Sequence, residues 1–338
     1  MGCKGRLTSS FGAAAVVVVV LSLAACGGED GDITVYSGRQ EDLVEDLFEQ
    51  FEDATGIKVD VRYGDSAELA ATIAEEGENT PADVFFAQDA GSLGSVGAEG
   101  LLAELPAESL GRVDERFRDP EERWVGTSGR VRVVAYNTDA LSEAELPDSI
   151  WDYADPSWHG RLGLPPTNAS FQAMVTAMRL EAGDEQTREW LEGIAANEPR
   201  IFENNVQTLE AIAAGEIDAG FVNHYYLYGL QEEQPDAPVA NHYLAAGDPG
   251  ALVNVAGVGI LRTTDRPGMA QQLVDYLLGP GQEYFAGETD EYPLVDDVSS
   301  ESELPPLSDL HGPDVELGAL GPELEATLAM LDSVGLTS

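Results

Sequence analysis

The 338-residue chain carries 62 acidic against 17 basic residues, a formal net charge of −45 at pH 7. A surface this acidic repels phosphate backbones, which excludes nucleic acid as a partner. The 43% share of hydrophobic residues is typical of a globular protein rather than a disordered one, and the length suffices for two domains.

The first 26 residues have the features of a secretory signal and stand outside the fold. A basic start precedes the apolar run AAAVVVVVLSLAA, which is too short for a comfortable membrane span. The sequence LAAC at its end resembles the bacterial lipobox, in which the cysteine becomes the lipid-bearing first residue of the mature protein. We therefore predict a signal peptide over 1–25 and a lipid on Cys26 that holds the protein to the outer face of the cell membrane. Ordinary cleavage near Ala25 is the alternative, and neither version leaves a disulfide framework.

After the signal, strands and helices alternate. Strands are predicted at ITVY (33–36), IKVDVRY (57–63) and ADVFFA (82–87). Each is followed by a segment with helical spacing of its apolar residues: EDLVEDLFEQFEDAT, SAELAATIAEEG and AGSLGSVGAEG. This alternation predicts a doubly wound parallel sheet, in which ligands bind beyond the carboxyl ends of the strands. Those ends are YSGRQ, YGDSA and AQDAG.

The following segments predict a second lobe. SGRVRVVAYN (128–137) is a long strand that leaves the first lobe, and GALVNVAGVGIL (250–261) is the return crossing. Between them we predict strands in GRLGL and GEIDAGFVN and helices over 170–181 and 185–196. Two lobes joined by long strands form a hinged clamp for a small ligand. The first lobe is predicted to contain 26–130 with 254–305, and the second 131–253 with 306–338.

The sequence lacks the usual catalytic signatures. It contains no HExxH motif, no G-x-S-x-G elbow, no P-loop and no paired-cysteine motif. Its four histidines are scattered along the chain. We therefore expect a binding protein rather than an enzyme.

Three tyrosines, Tyr225, Tyr226 and Tyr228, follow the short apolar strand AGFV. Neighbouring side chains diverge on a regular helix or strand, but a strand-to-helix junction can direct two of them into one cleft. A phenol is neutral at pH 7, and a trivalent cation nearby makes the phenolate the stable form. Ferric iron is such a cation and prefers oxygen donors. Aromatic packing with the hydroxyls bonded to water is the alternative, and the pair alone favours it.

From Asp32 to about Asp297 the chain resembles the ferric-iron-binding proteins of ABC importers, the bacterial transferrins, within the periplasmic binding-protein superfamily. The resemblance implies a type II, Venus-flytrap fold of two lobes, each a doubly wound mixed sheet with flanking helices. It also implies that Tyr225 and Tyr226 bind Fe3+ and that the protein, which we expect to be a monomer, delivers the ion to a membrane permease. We expect Tyr228 to pack on the same helix. The segments that carry it occur in family order: ITVYSGRQ, FEDATGIKVDVRYGDSAELAATIAEEGENTPADVFFAQDAG, SGRVRVVAYNT, NHYYLYGL, GDPGALVNVAGVGIL and EYPL.

The chain departs from the family at the other iron ligands. Some members bind iron through a histidine after the first strand and a glutamate after the third. At these two positions this chain has Gln40 and Gln88. Other members use a third tyrosine on the second lobe, and at that position this chain has Phe171. We expect Gln40 and Gln88 to line the cleft, and Tyr36 or Tyr63 to be the candidates for a further phenolate.

A synergistic anion, carbonate or phosphate, accompanies iron in this family. Its contacts correspond to Arg130, Asn205 and Asn223, with Asn168 in TNAS (167–170) at the start of a helix whose N–H groups suit an anion. Arg39 offers a second forked donor. A salt bridge is the alternative role for either arginine.

A different cargo is the alternative to iron. The same superfamily binds organic ligands such as polyamines, thiamine or phosphonates, and the missing histidine and glutamate would fit such a change.

Overall fold

The computed structural model describes residues 1–2, 32–298 and 304–337. Cys26 and the predicted signal peptide beyond Gly2 lie outside the described residues. Within them the strands are β1 (Ile33–Ser37), β2 (Val59–Tyr63), β3 (Val84–Ala87), β4 (Trp124–Asn137), β5 (Leu162–Leu164), β6 (Arg200–Ile201), β7 (Ala219–Asn223), β8 (Val239–His242), β9 (Val253–Ile260) and β10 (Tyr292–Pro293). The helices are α1 (Glu41–Thr55), α2 (Ser66–Glu76), α3 (Ala90–Ala98), α4 (Ala107–Leu110), α5 (Ala169–Ala182), α6 (Asp184–Ala196), α7 (Asn205–Ala213), α8 (Tyr226–Glu233), α9 (Pro267–Leu277), α10 (Gly281–Glu288) and α11 (Leu324–Ser333).

The first sheet region has the predicted doubly wound arrangement. β1 lies between β2 and β3 and is parallel to both, while β9 is antiparallel to β3. The helix α1 ends at Thr55 because Gly56 adopts the left-handed conformation (φ 75°) and donates its N–H to the Glu52 carbonyl. Of the apolar residues whose spacing predicts this helix, Leu47, Phe48 and Phe51 are buried and Leu43 is half-buried against the same core; Val44 is buried with them.

The strand β4 joins the two sheet regions. Residues 124–131 pair with β9, and residues 132–137 pair with β7 and β8. Every residue of β4 is buried, so a single strand runs through the interior from one region to the other. It begins at Trp124 rather than at 128 as predicted, because the pairing with β9 continues across a register shift between Gly126 and Ser128.

The second sheet region is built from β5, β6 and β7, which are parallel, with β4 antiparallel to β7. The helices predicted at 170–181 and 185–196 are α5 and α6. Phe171 is fully buried in the apolar core of this region. A side chain at this position therefore contributes to packing in this chain rather than to a cleft.

Capping side chains start several helices just beyond the ends of strands. Asp65 accepts N–H groups at the start of α2, and Asp89 does so at the start of α3. Asn168 and Asn204 start α5 and α7 in the same way. Loops that follow β2, β3, β5 and β6 are thereby fixed at the edge of the sheet where ligands of doubly wound proteins bind.

The C-terminal segment contacts both sheet regions. The turn Leu317–Leu320 packs on α3, where the Gly318 carbonyl leaves no room for a Cβ atom at Gly94. Helix α11 packs on α5, and the hydroxyls of Thr176 and Thr327 are hydrogen-bonded at 2.8 Å. None of the described helices is both long enough and apolar enough to span a membrane.

Candidate functional site

The paired tyrosines lie at the junction between β7 and α8. Asn223 ends the strand and Tyr226 begins the helix. The rings of Tyr225 and Tyr226 are 4.3 Å apart between centroids and inclined by only 31°, so they stand side by side instead of diverging. Burial, followed by the neighbouring Tyr226, raises the pKa of Tyr225. Without a cation this phenol is therefore neutral at pH 7, as an unperturbed tyrosine would be.

The third tyrosine belongs to a different group. Burial, with smaller contributions from Tyr243 and Tyr228, raises the pKa of Tyr292. Tyr228 thus lies close enough to Tyr292 to interact with it, as expected for a packing role.

A buried arginine that the sequence analysis did not single out lies at the centre of the predicted anion contacts. The side chain of Arg132 has only 2% of its surface exposed, and its Nη2 donates to the Phe221 carbonyl at 2.7 Å. Its Nη1 donates to three side-chain oxygens, those of Ser170 (2.9 Å), Asn223 (3.1 Å) and Asn205 (3.2 Å). Asn205 in turn donates to Asn168 at 3.1 Å. The three predicted asparagines are therefore brought together, but around Arg132.

The charge of Arg132 is not matched by a carboxylate among the described residues within salt-bridge distance. Burial lowers the pKa of Arg132 to about 9, and interaction with Tyr226 and Tyr225 opposes that effect. The guanidinium is consequently still charged at pH 7. An uncompensated buried cation is costly, so this position favours an anionic neighbour, whether a phenolate or a bound anion.

The two predicted anion-binding arginines have another partner. Arg39 Nη2 lies 2.9 Å from one carboxylate oxygen of Glu291, and Arg130 Nε lies 3.8 Å from the other. Arg130 also donates to the Gln88 carbonyl. Burial would raise the pKa of Glu291, but the charges of Arg39 and Arg130 hold it below its ordinary value. Both arginines therefore form salt bridges, as the alternative to anion binding predicted. Their partner Glu291 is buried rather than at the surface.

Tyr36 and Tyr63, the candidates for a further phenolate, differ in the hydrogen bonds of their hydroxyl groups. The Tyr36 hydroxyl lies 3.1 Å from both carboxylate oxygens of Glu76 and accepts from Arg62 at 3.0 Å. Because these partners satisfy it, we do not retain Tyr36 as an iron ligand. Tyr63 is half-buried, and burial together with Glu41 and Glu45 raises its pKa to about 12.

The two glutamines are placed differently. Gln40 is exposed at the start of α1, and its side chain makes no capping hydrogen bond. Gln88 follows β3; its N–H donates to Ser66 Oγ at 2.8 Å. Its side-chain Oε1 is buried and has no hydrogen-bond partner among the described residues. Gln88 therefore presents a buried acceptor that a bound ligand or water could satisfy.

Comparison with known proteins identifies the family of this chain. Residues 79–316 match the model for bacterial extracellular solute-binding proteins. The chain belongs to this family. The Fe(3+)-binding periplasmic protein of Serratia marcescens is 33% identical to it over 319 residues, covering 92% of this chain and 94% of that protein. The major ferric iron-binding protein of Neisseria meningitidis serogroup B is 33% identical over 324 residues, with coverage of 94% and 97%.

Solved structures agree with the solute-binding fold. Iron-bound HitA from Pseudomonas aeruginosa superimposes with a TM-score of 0.83 at 35% identity, covering 90% of this chain and 99% of that one. A Trichodesmium protein (IdiA, FutA) in complex with iron and citrate superimposes with a TM-score of 0.80 at 29% identity, with coverage of 90% and 99%. These matches confirm the predicted resemblance to ferric-iron-binding proteins. They also confirm the two-lobed fold and a binding function rather than an enzymatic one.

The sequence analysis of this solute-binding protein missed Arg132, Ser170 and Glu291. A usable signal existed for Arg132, because residues two apart on a strand share a face and Arg130 was already a candidate for anion binding. Ser170 follows directly after the predicted cap Asn168. Glu291 is the first residue of EYPL, a segment that carries the resemblance, but no local pattern predicts its pairing with Arg39, 252 residues away along the chain.

Proposed function

We propose that the protein is the Fe3+-binding component of an iron importer, holding the ion on Tyr225 and Tyr226 with a synergistic anion and passing it to an ABC permease. The observation that carries this proposal is the pair of neighbouring phenol rings close to Arg132, a buried cation that has no carboxylate partner among the described residues. The two predicted lobes would close on the ion, which requires the loaded state to favour the closed arrangement. Relatives whose names state ferric iron support the choice of cargo.

The charges at this position support an anion beside the iron. Fe3+ bound by two phenolates keeps one positive charge, and the Arg132 guanidinium adds another. A divalent anion such as carbonate or hydrogen phosphate neutralises both. Asn168 lies at the start of α5, and Asn205 and Asn223 supply amide groups next to Arg132. Backbone N–H groups at a helix start add further donors for the same anion.

The remaining iron positions need weaker donors. Gln88 Oε1 is suited to accept a hydrogen bond from an iron-bound water, because it is buried and otherwise unpartnered within the described chain. Tyr63 is the candidate for a third phenolate. Within the described chain its hydroxyl makes no side-chain hydrogen bond, whereas the hydroxyl of Tyr36 does. Its raised pKa means that only direct bonding to a cation would ionise it at pH 7.

Equilibrium dialysis tests the proposed cargo. The mature protein is dialysed against ferric citrate, spermidine, thiamine or 2-aminoethylphosphonate, and the retained ligand is quantified. We expect retention of about one iron per chain, as for a single-site metal protein, and no retention of the organic compounds. Saturable retention of an organic compound without iron would replace iron as the cargo.

Removal of the anion should weaken iron binding. In a buffer stripped of phosphate and carbonate we expect the iron affinity to fall by at least about tenfold, because the two positive charges lose their counterion. Arg132→Lys should bind iron less tightly and respond less to added phosphate, since one ammonium cannot reproduce the forked contacts of a guanidinium. Arg179→Lys is the matched control, because Arg179 is also buried but pairs with Asp184 and Glu323 away from the tyrosine pair; it should leave the iron affinity and its response to phosphate unchanged. Iron affinity indifferent to phosphate in the wild type would contradict the anion.

The lipid anchor is tested on Cys26. If the signal peptide is removed before Cys26 and the cysteine is lipidated, Cys26→Ser should release the protein from the membrane fraction into the soluble fraction. Fractionation of cells that express either form measures this. Equal membrane retention of both forms would favour an attachment other than lipid.

A further inference from the structure

His224 precedes the tyrosine pair and completes the strand pairing that orients it. β4 and β7 pair as far as Arg132 and Asn223, and the next step of the ladder is formed by Val131 and His224. The His224 N–H donates to the Val131 carbonyl at 3.0 Å. The Val131 N–H, however, donates at 3.2 Å to the imidazole Nδ1 of His224. The side chain thus takes the place of the backbone carbonyl where the chain turns from strand into helix.

The second ring nitrogen reaches a different part of the molecule. Because Nδ1 accepts a hydrogen bond, Nε2 carries the proton in the neutral ring, and it lies 3.1 Å from the Asp290 carbonyl. Asp290 has a positive φ of 51° and precedes Glu291, the carboxylate that holds Arg39 and Arg130. One imidazole therefore connects the tyrosine turn, the central strand and the segment 290–292.

The same ring packs between tyrosines. His224 is fully buried; its ring lies 5.8 Å from that of Tyr225 in an edge-to-face arrangement and 4.8 Å from that of Tyr292. Asn241 adds a hydrogen bond to the His224 carbonyl at 2.8 Å. The ring of Tyr225 consequently rests on a side chain whose orientation is fixed by two hydrogen bonds to backbone.

We propose that His224 is a positioning residue that sets the orientation of Tyr225 and couples the metal-binding pair to segment 290–292. The proposal rests on the proposed iron site. Without the link to Asp290, the turn would keep its strand pairing but lose its fixed relation to the segment that carries Glu291. Residues that orient metal ligands in this way change metal affinity by about 10- to 100-fold when they are replaced.

Two substitutions separate the bonds made by the ring. His224→Asn places an amide oxygen near the position of Nδ1 and keeps the acceptor for Val131, but cannot reach Asp290. His224→Gln places an amide N–H near the position of Nε2 and keeps the donor for Asp290. His242→Gln is the matched control, because His242 is also buried and its Nε2 bonds to the Pro147 carbonyl.

Iron affinity is measured by citrate competition, and the position of the visible charge-transfer band is recorded for each variant. We expect His224→Asn to weaken binding about 10- to 100-fold and to shift the band, and His224→Gln to retain more of the wild-type affinity. His242→Gln should match the wild type in both respects. Wild-type affinity and band position in His224→Asn, or an equal loss in His242→Gln, would overturn the proposal.

A measurement on the unmodified protein covers the case in which a variant does not fold. Ga3+ is a diamagnetic trivalent ion that allows NMR of the loaded protein. Loading should shift the His224 ring resonances and the backbone amides of 290–292 together. Binding of Ga3+ that leaves both sets unchanged would overturn the coupling. Failure of the wild type to bind Fe3+ or Ga3+ at all would instead contradict the proposed function.

Discussion

Replacing either Tyr225 or Tyr226 by phenylalanine should lower the affinity for Fe3+ by more than about 100-fold, beyond the loss typical of residues outside the coordination shell. The substitution keeps the ring and its packing against the neighbouring ring, which is 4.3 Å away. It removes an oxygen that a trivalent cation would hold as phenolate, and water is a neutral and weaker replacement. The remaining phenol would also face an ion with less charge compensation.

Competition with citrate at fixed pH measures these affinities. Tyr228→Phe is the matched control, because Tyr228 lies in the same helix and interacts with Tyr292, and we do not propose it as an iron ligand. It should leave the affinity within about threefold of the wild type, since surface and packing changes of this kind are usually small. A loss of equal size in all three variants would point to general destabilisation rather than to loss of ligands.

Replacing Glu291 by glutamine should destabilise the protein by about 3–5 kcal/mol, because it leaves two buried guanidinium groups without their shared carboxylate. Arg39 and Glu291 have almost no exposed side-chain surface, and Arg130 has little. Glutamine keeps the size of the side chain but none of its charge. Urea unfolding of the metal-free protein, followed by circular dichroism, measures the loss.

The control for this variant is Glu78→Gln. Glu78 pairs with Arg262 on the surface, where its side chain is 80% exposed, so its loss should cost less than about 1 kcal/mol. The effect of Glu291 should also depend on pH. Its folded-state pKa is held below the ordinary value of 4.5, so its stabilisation is present above that pH and is lost as the pH falls through the depressed pKa. Equal stability of Glu291→Gln and the wild type would show that other groups compensate the arginines.

Local signals predicted much of the fold. The helix Glu41–Thr55 was predicted with these limits because its apolar residues recur at helical spacing, and in the structure Gly56 ends it. The start of β4 was placed too late, since Gly126 interrupts an apolar pattern that pairing with β9 carries through. That pairing joins segments more than a hundred residues apart, and no local pattern reveals it.

The residues of the candidate site were predictable where the resemblance to the iron-binding family supplied their positions. Asn168, Asn205 and Asn223 lie together as the family pattern implies. The choice between Arg130 and Arg132 depended on side-chain contacts that sequence does not contain. Tyr36 was a reasonable candidate at the end of β1, but its hydroxyl bonds to Glu76 and Arg62 once β1 and β2 pair.

The visible absorption spectrum of the protein with one equivalent of ferric citrate tests the iron–phenolate site most directly. Phenolate bound to Fe3+ produces a charge-transfer band, whereas ferric citrate with an unbound protein does not. We predict such a band for the wild type and its absence in a folded Tyr225→Phe/Tyr226→Phe double variant. A wild-type protein that stays without the band, or a double variant that retains it, would contradict iron binding by this pair.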